Sequence, residues 1–541
     1  MSDKQMTDIW KKYMSCRNYL DGKQIVSKTD TQWDFYNGNQ WRGVQTDGRD
    51  LPCFPFIKTV CKYKVSTIAQ NSLVASFNDL EHRTDYTKVC ELLEKDFATM
   101  WERTKMDAKK WDIIKSACVQ GDEYVFFGTD DVADMQLIAN TEIMFGDEQE
   151  QDIQKQPFII LYERMLVSEA VKIAKENGVS KEEYELIKGD SDTRNVIGNK
   201  EEVKATEKVS VILYLEKKDG IVYKARSTKD CIIEPLKPIA RYKDGEMDGG
   251  LRSYPIVGFV WEKLPNNARG NSEVRQLMPN QIELNKTLVR RSMSVKMTAF
   301  PRIAYDASAI ENPEDLETVG ASIAMNGATS NVDQMIKYLN PASMSHDAES
   351  LQLSLLNTTM ELAGAQDTAL GNIDPQRVSG AAIEAIRDQT ALPLNEQVSA
   401  YRQFAEDLAL LRYDMLYAFA PSDGVTVNYV DDEGNPLTEV IDLKTFKEFR
   451  PYVRIDVSAD NSWSKYAQQQ ELAGLLNNGQ ISLEEYLEAL PNNSSLPKNK
   501  LLELIERRKQ NVGENVQMQE MSDGVFGPQG VPSARTEMPN F

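Results

Sequence analysis

NSEVRQLMPNQIELNKTLVRRSMSVKMTAF, residues 271–300, is the stretch around which the rest of the chain arranges itself. Ser272 stands where a helix N-cap belongs, directly before an apolar repeat of helical period. That repeat is double. Leu277, Leu284, Leu288 and Val295 form one stripe, and Ile282, Val289, Met293 and Met297 form another. A surface helix of a monomer needs a single apolar stripe, so two imply neighbours on both sides. Pro301 ends the pattern.

Downstream, residues 301–345 are irregular, with short strand-like pieces RIAYD, SIAMN and MIKYL. From His346 to Leu370 a second helix is expected, with Leu351, Leu355, Leu362 and Ala369 on one side. GNIDPQRVSG, 371–380, interrupts it with two glycines and a proline. The longest helical pattern follows, 380–419, through Ile383, Ile386, Leu394, Tyr401, Leu408, Leu411, Met415 and Phe419. Pro393 removes a ladder hydrogen bond inside it and should bend it. VTVNYV and YVRIDVS then read as strands around a DDEGNP turn and a short FKEF segment. Short helices are expected in WSKYAQQQELAGLLNN, ISLEEYLEALP and KNKLLELIERRKQ, and disorder in the Gln-, Gly- and Pro-rich residues 511–541.

Upstream, Ile9, Tyr13, Cys16 and Leu20 mark one face of a first helix. WDFYNGNQWRGV reads as a loop anchored by aromatics around Asn37-Gly38. Residues 56–77 repeat at Val60, Tyr63, Ile68 and Leu73 like a helix, and a longer helix is expected over 88–120 with Gly121 as its end. YVFFGTD, MQLIANTEIMFGD, QPFIILYERM and PIVGFVWEKL read as strands, and VSVILYLEKKDGIVYKA as a hairpin about Asp219-Gly220. Residues 168–210 read as a short helix followed by a charged loop. The fold class is α+β: a sheet-bearing region is interrupted by two long helices and resumed after them.

Composition narrows the function. The chain has 541 residues, enough for three or four domains at roughly 150 residues each. With 62 Lys and Arg against 83 Asp and Glu it carries a net charge of −21, which opposes a surface made to grip nucleic acid. No stretch approaches the roughly 18 apolar residues of a membrane span, and the N-terminus has no apolar core of a secretory signal, so an intracellular product is expected. The six cysteines are scattered without a C-x-x-C pair and read as core thiols. Only His82 and His346 are available for histidine chemistry, and no nucleotide-binding or metalloprotease motif occurs. No catalytic residue, metal ligand or cofactor is assigned.

Five segments, in this order, resemble the portal proteins of tailed bacteriophages, of the kind found in long-tailed phages of Gram-positive hosts. They are DAKKWDIIKSACVQGDEYVFFG (107–128), FGDEQEQDIQKQPFIILYERM (145–165), GNSEVRQLMPNQIELNKTLVRRS (270–292), ALGNIDPQRVSGAAIEAIRDQTALPLNEQ (369–397) and GQISLEEYLEALP (479–491). The resemblance implies a dodecameric ring around an axial channel. It assigns residues 1–270 and 381–458 to a mixed α/β wing and 271–300 and 346–370 to a two-helix stem. A small β-containing clip would be 301–345, a tunnel loop 371–380, a helical crown 459–510 and a disordered tail 511–541. The long kinked helix belongs to the second wing segment. The implied partners are the terminase large subunit, the major capsid protein and scaffold, a head-completion adaptor, and double-stranded DNA passing without sequence specificity. No membrane is involved. The implied location is the portal vertex of the virion, after assembly in the host bacterial cytoplasm.

Residue roles follow the same resemblance, each beside a plainer reading. In the tunnel loop Asn372, Asp374, Gln376 and Arg377 would face DNA, against an ordinary helix–helix connection with Arg377 solvated. Arg290, Arg291 and Lys296 in the stem are expected to pair with acids of the next subunit rather than to touch DNA, against the usual solvated face. Tyr305, Leu316, Ile323, Met325 and Tyr338 are placed on short clip strands that dock partners, against a small autonomous β subdomain. The acidic clusters Asp190/Asp192 and Asp431/Asp432/Glu433 lie in turns. They alone would serve the competing reading, a carboxylate-dependent, Mg²⁺-dependent nuclease or other phage DNA-processing enzyme. A third reading, a helical scaffold, leaves the interrupted sheet region unexplained.

Overall fold

The structure is a computed structural model that describes residues 2–45, 51–128, 135–203, 206–243, 246–299, 302–305, 307–308, 310–317, 322, 324, 336–339, 346–365, 392–419, 424–430, 436–442, 448–459 and 472–489. Two compact units divide the chain, Met1–Ser458 and Ala459–Phe541.

The first unit opens with α1 (Ser2–Gly22), which buries Ile9, Tyr13 and Leu20 along the anticipated face. The aromatic loop expected next is instead the end of a second helix, α2 (Ile25–Asn37). Gly38, at φ 82°, closes it, with the Gly38 and Asn39 amides donating back to Phe35 and Asp34. The helix α3 (Phe56–Ala69) stops eight residues short of the expected 77, because 71–79 is a strand, β1 (Asn71–Asp79). Leu73 happens to continue the helical count, but pairing with a strand near the end of this unit decides the matter. The single helix expected over 88–120 is two, α4 (Thr87–Arg103) and α5 (Met106–Gln120). Lys105 turns left-handed between them at φ 53°, and the Thr104 hydroxyl donates to the Met100 carbonyl. Gly121 ends α5 as expected.

The strands of the central region follow the reading closely. They are β2 (Asp122–Phe127), β3 (Met135–Ala139), β4 (Ile143–Phe145) and β5 (Phe158–Leu166), then α6 (Val167–Glu176), α7 (Lys181–Tyr184), β6 (Lys208–Lys218) and β7 (Ile221–Ser227). Asp219 and Gly220, at φ 51° and 77°, make the tight turn between β6 and β7. After β8 (Ile232–Pro238), β9 (Ala240–Lys243), β10 (Glu246–Gly250) and β11 (Ile256–Val260), two main antiparallel sheets are complete. One has the order β11-β2-β3, the other β4-β5-β6-β7-β8.

Next comes α8 (Glu273–Ala299), with the Ser272 hydroxyl accepting from the Arg275 amide at 2.9 Å. A two-stranded ribbon of β12 (Arg302–Tyr305) and β13 (Ile336–Leu339) follows, pairing Ile303 with Tyr338 and Tyr305 with Ile336. Leu316, expected on a strand, lies in a 3₁₀ turn, Pro313–Glu317, started by a proline and acidic residues. The helix expected over 346–370 is α9 (His346–Leu362); Gly364, at φ 68°, ends it early. Pro393 sits in a 3₁₀ turn, Leu392–Leu394, that leads into α10 (Asn395–Phe419). The tight spacing brings Gly364 and Pro393 together: a methyl on Gly364 would lie 3.6 Å from the Pro393 ring. Residues 383 and 386 of the expected long helix are outside the described residues.

β14 (Val425–Val430) pairs with β15 (Pro436–Ile441), a strand the sequence reading passed over, and β16 (Pro451–Ala459) returns to pair with β1. A sheet region interrupted by rods and then resumed is therefore what the chain builds. One continuous core joins α3, α5, β2, β11, the start of α8 and α10, with Phe259, Tyr401 and Phe404 in edge and stacked contact. In the second unit, 472–477 is helical and α11 (Leu483–Ala489) is capped by Ser482, whose hydroxyl accepts from the Glu485 amide. The helix expected at 498–510 and the tail at 511–541 lie outside the described residues.

Candidate functional site

The α8/α9 rod pair is the feature on which function can be argued, and its construction begins just before Ser272. The loop from β11 returns to the junction of α5 and β2, where Gly121 and Gly270 cross backbone to backbone. A methyl group on Gly270 would stand 2.3 Å from the Gly121 carbonyl oxygen, so no larger residue fits there without displacement. Arg269, buried to 5% exposure, pins the crossing. Its guanidinium donates twice to the Glu148 carboxylate at 2.9 Å and to the Ile143 carbonyl at 2.9 Å, with Asp122 at 4.0 Å. Burial pushes the Asp122 carboxyl up, and the nearby arginine and the Tyr124 hydroxyl draw it back only in part. For the neighbouring Glu123, burial, then Asp122 and Glu142, push the carboxyl well above the usual range; Lys115 offsets this only slightly, and the Gln120 amide donates to it.

From this root α8 runs through two environments. In its first half Val274, Leu277, Gln281, Leu284 and Asn285 are buried. Polar side chains there serve the backbone of an N-terminal segment: Gln281 accepts from the Ile57 amide at 3.2 Å and Asn285 from the Phe54 amide at 2.8 Å. Glu273 is bound by Lys64 at 2.7 Å and by the Trp261 indole at 3.3 Å. Pro279, unremarked in the sequence reading, takes an exposed place inside the helix, where its missing amide is nearest to water. Beyond Val289 no described residue of α8 is buried. Val295 is 62% exposed and Met297 45%.

α9 lies alongside. The Asn280 amide donates to the Thr359 hydroxyl at 3.0 Å, and Arg291 meets Glu349 at 3.1 Å, so the rods are antiparallel. Leu355, Leu356 and Met360 pack toward the core, while Leu351, Leu353 and Leu362 are exposed. The first anticipated stripe of α8 is buried at the base, at Leu277 and Leu284, and open at Val295, while the second runs from half-buried Ile282, Val289 and Met293 to exposed Met297.

The other expected site residues distribute as follows. Arg290 is held by Glu283 of its own helix at 3.1 Å, and Arg291 by Glu349 of the same chain. Lys296 is exposed near the end of α8. Tyr305 is exposed at the end of β12, Leu316 is half-buried, and Tyr338 is a paired position of β13. Ile323, Met325, Asn372, Asp374, Gln376 and Arg377 are outside the described residues, as is the Asp431/Asp432/Glu433 cluster. Asp190 is bound by Arg164, while Asp192 is bound by Arg17 at 2.7 Å and Arg194 at 3.0 Å. Burial would raise Asp192, but the two arginines outweigh it and hold the carboxyl well below the usual range. Asp192 thus ties the 190–194 turn to α1, and Asp190 ties it to β5. Among the described residues no group of three His, Cys, Asp or Glu side chains is arranged to hold a metal ion, and no helix is long and apolar enough to cross a membrane.

The Arg269 pin and the Gly121/Gly270 crossing were missed in the sequence reading. Asn-Asn-Ala-Arg-Gly has the look of a solvated turn; only the neighbouring Ser272 cap marks the place.

A family model described as phage P22-like portal protein matches residues 22–524. Among solved structures, the chain is similar to one from the neck of an empty gene transfer agent particle computed with C6 symmetry. That likeness has 12% identity and a TM-score of 0.36, covering 84% of this chain and 93% of that one. A chain from the virion of a native gene transfer agent particle is similar at 12% identity and a TM-score of 0.35, with 83% and 96% covered. No curated protein matches. Nothing in these likenesses supports the narrower expectation of a Gram-positive host.

Proposed function

The chain belongs to the phage P22-like portal protein family, and from there we propose that its copies close into a ring, a dodecamer by expectation, at one vertex of the capsid. Double-stranded DNA passes through the ring during packaging and ejection. Residues 1–270 and 381–458 are the wing, 271–300 and 346–370 the stem, 301–345 the clip, 371–380 the tunnel loop and 459–510 the crown.

The observation that carries this reading is the far end of the rod pair. Val295, Met297, Leu351 and Leu353 are apolar, exposed and on a rod whose base is fixed in the core. At about half exposure each forfeits roughly 1 kcal/mol that full burial would supply. Neighbouring copies on both flanks would cover them, in a head-to-tail contact that rotation closes. The two-stranded β12/β13 ribbon fits as well, since two isolated strands are marginal until further strands join them. An excess of 21 negative charges suits a conduit that must not bind the phosphate backbone tightly.

In this proposal Asn372, Asp374, Gln376 and Arg377 meet passing DNA, and Arg290, Arg291 and Lys296 work at stem contacts. Tyr305, Leu316, Ile323, Met325 and Tyr338 belong to the surface that receives the terminase large subunit and later a head-completion adaptor. The wing meets the major capsid protein and scaffold. Assembly takes place in the bacterial cytoplasm and the product resides in the virion. The nuclease alternative loses its best described acidic pair, because Asp190 and Asp192 are committed to arginines.

Native mass measurement and negative-stain imaging of the full chain at moderate salt test the proposal. Annular particles with an axial hole are expected. A strictly monomeric protein, also in the presence of capsid components, overturns it.

A further inference from the structure

The rod pair carries enough geometry to say which of its surfaces meet. Asn280 opposite Thr359 and Arg291 opposite Glu349 fix the level of every α9 residue against α8. Leu351 stands at the height of Val289, and Leu353 at the height of residues 286 and 287. At about 100° per residue, the same contacts fix which side of each helix faces the other.

Viewed from the N-terminus of α8 with α9 above it, Val295 projects to the right and Met297 and Met293 to the left. α9 runs toward the viewer, so its residues advance in the opposite sense: Leu353 projects to the right and Leu351 to the left. The pair thus has two apolar edges. One holds Val295 and Leu353, 62% and 54% exposed; the other holds Met293, Met297 and Leu351, the last two 45% and 56% exposed.

These edges match in height. Val295 lies midway between Met293 and Met297, and Leu353 lies within about 3 Å of the level of Leu351. Opposite charges also flank the edges at one height. Arg290, which holds Glu283, projects from the methionine edge, and Glu349, which holds Arg291, leans toward the valine edge, so a neighbour's contact would extend two ion pairs that already exist.

We infer that the occupant of each edge is the other edge of a second copy, with Val295 seated between the neighbour's Met293 and Met297, Leu353 against its Leu351, and Glu349 facing its Arg290. Matching at equal height has a consequence beyond contact. A head-to-tail interface closes into a ring only when successive copies do not climb along the axis; with a climb it grows into a filament. Here the two edges meet without a climb, so closure is written into the stem itself. The inference rests on the ring reading proposed above and adds the pairing.

Cysteine pairs in the full chain test it. Val295→Cys with Met297→Cys in one chain places a thiol on each edge, and mild oxidation is expected to give a covalent ladder running up to the complete ring. Each single substitution should give no crosslink, because identical residues of neighbouring copies never meet head to tail. Val295→Cys with Leu353→Cys, both on one edge, should give none either. The unsubstituted chain, with its own six cysteines, sets the background. The three positions are exposed, and an unchanged circular dichroism spectrum verifies the fold. Rings in the micrographs without a ladder from the cross-edge pair overturn the pairing while leaving the ring standing. Dimers from either single substitution mean two-fold contact and also overturn the pairing. Absence of rings in the unsubstituted protein overturns pairing and ring together.

Discussion

The two halves of α8 share a backbone and an apolar stripe but not an environment. Leu277 and Leu284 are enclosed by the main hydrophobic core, while Val295, on the same stripe, is 62% exposed. The polar residues differ in the same way. In the base half Gln281 and Asn285 satisfy backbone amides of another segment, whereas Arg290 reaches only Glu283 on its own helix. Folding of the described core accounts for the first half, and the second is left open to solvent among the described residues. The lesson is that one periodic pattern can run from a stabilising core into an exposed flank without changing its spacing.

Substitutions separate the two. The largest effect is expected at the root: Arg269→Met leaves Glu148 and Asp122 buried without their cation and should cost about 3–5 kcal/mol in urea unfolding. A loss under about 1 kcal/mol would mean the pin is idle. Within the rods, Leu284→Ala should cost about 3 kcal/mol, and Leu351→Ala, on the exposed part of α9, no more than about 0.5 kcal/mol in the monomer. Equal losses at the two sites would erase the comparison.

Glu123, beside Asp122 at the foot of the root, sharpens it through pH. Its carboxyl ionises near 4.5 in the unfolded chain but much higher in the folded one, because burial penalises the charge. The unfolded state therefore releases this proton first, and stability falls as pH rises above about 4.5, by at most about 1.4 kcal/mol per pH unit. Glu123→Gln should flatten that slope, read as the difference between parent and variant in urea midpoints across pH 5–8. Parallel curves would show that the carboxyl is ionised in the fold. The smallest effect on folding is expected at Val295→Ser, within about 0.5 kcal/mol of the parent, together with a loss of rings in negative stain.

Much of this architecture was legible. Strands β2 to β7 and β11 announced themselves through β-branched and aromatic runs bounded by Gly, Asp and Pro, while β8, β9 and β10 were passed over; the Asp219-Gly220 turn needed the left-handed geometry that this pair tolerates. Several features escaped, three of them for definite reasons. β1 extends the helical count of α3 past Ala69, and its partner β16 lies at the other end of the unit, where no local window sees it. The break between α4 and α5 falls at Thr104-Lys105 and carries neither glycine nor proline. Gly364 ends α9 earlier than leucine spacing suggested. At the candidate site the apolar flanks were readable, because leucine and methionine keep helical spacing whether or not one chain covers them. Arg269 was not, since a lone arginine in a polar turn looks the same whether it points into water or into a core.

The contact between Gly364 and Pro393 gives the connection it closes an unusual independence. Gly364 and Pro393 lie just outside the ends of residues 366–391, so the distance that connection has to span is already set by described groups. Doubling the length of such a connection costs only about 0.6 kcal/mol of closure entropy. Insertions or deletions in that connection should therefore leave α9 and α10 undisturbed, with urea midpoints close to the parent's.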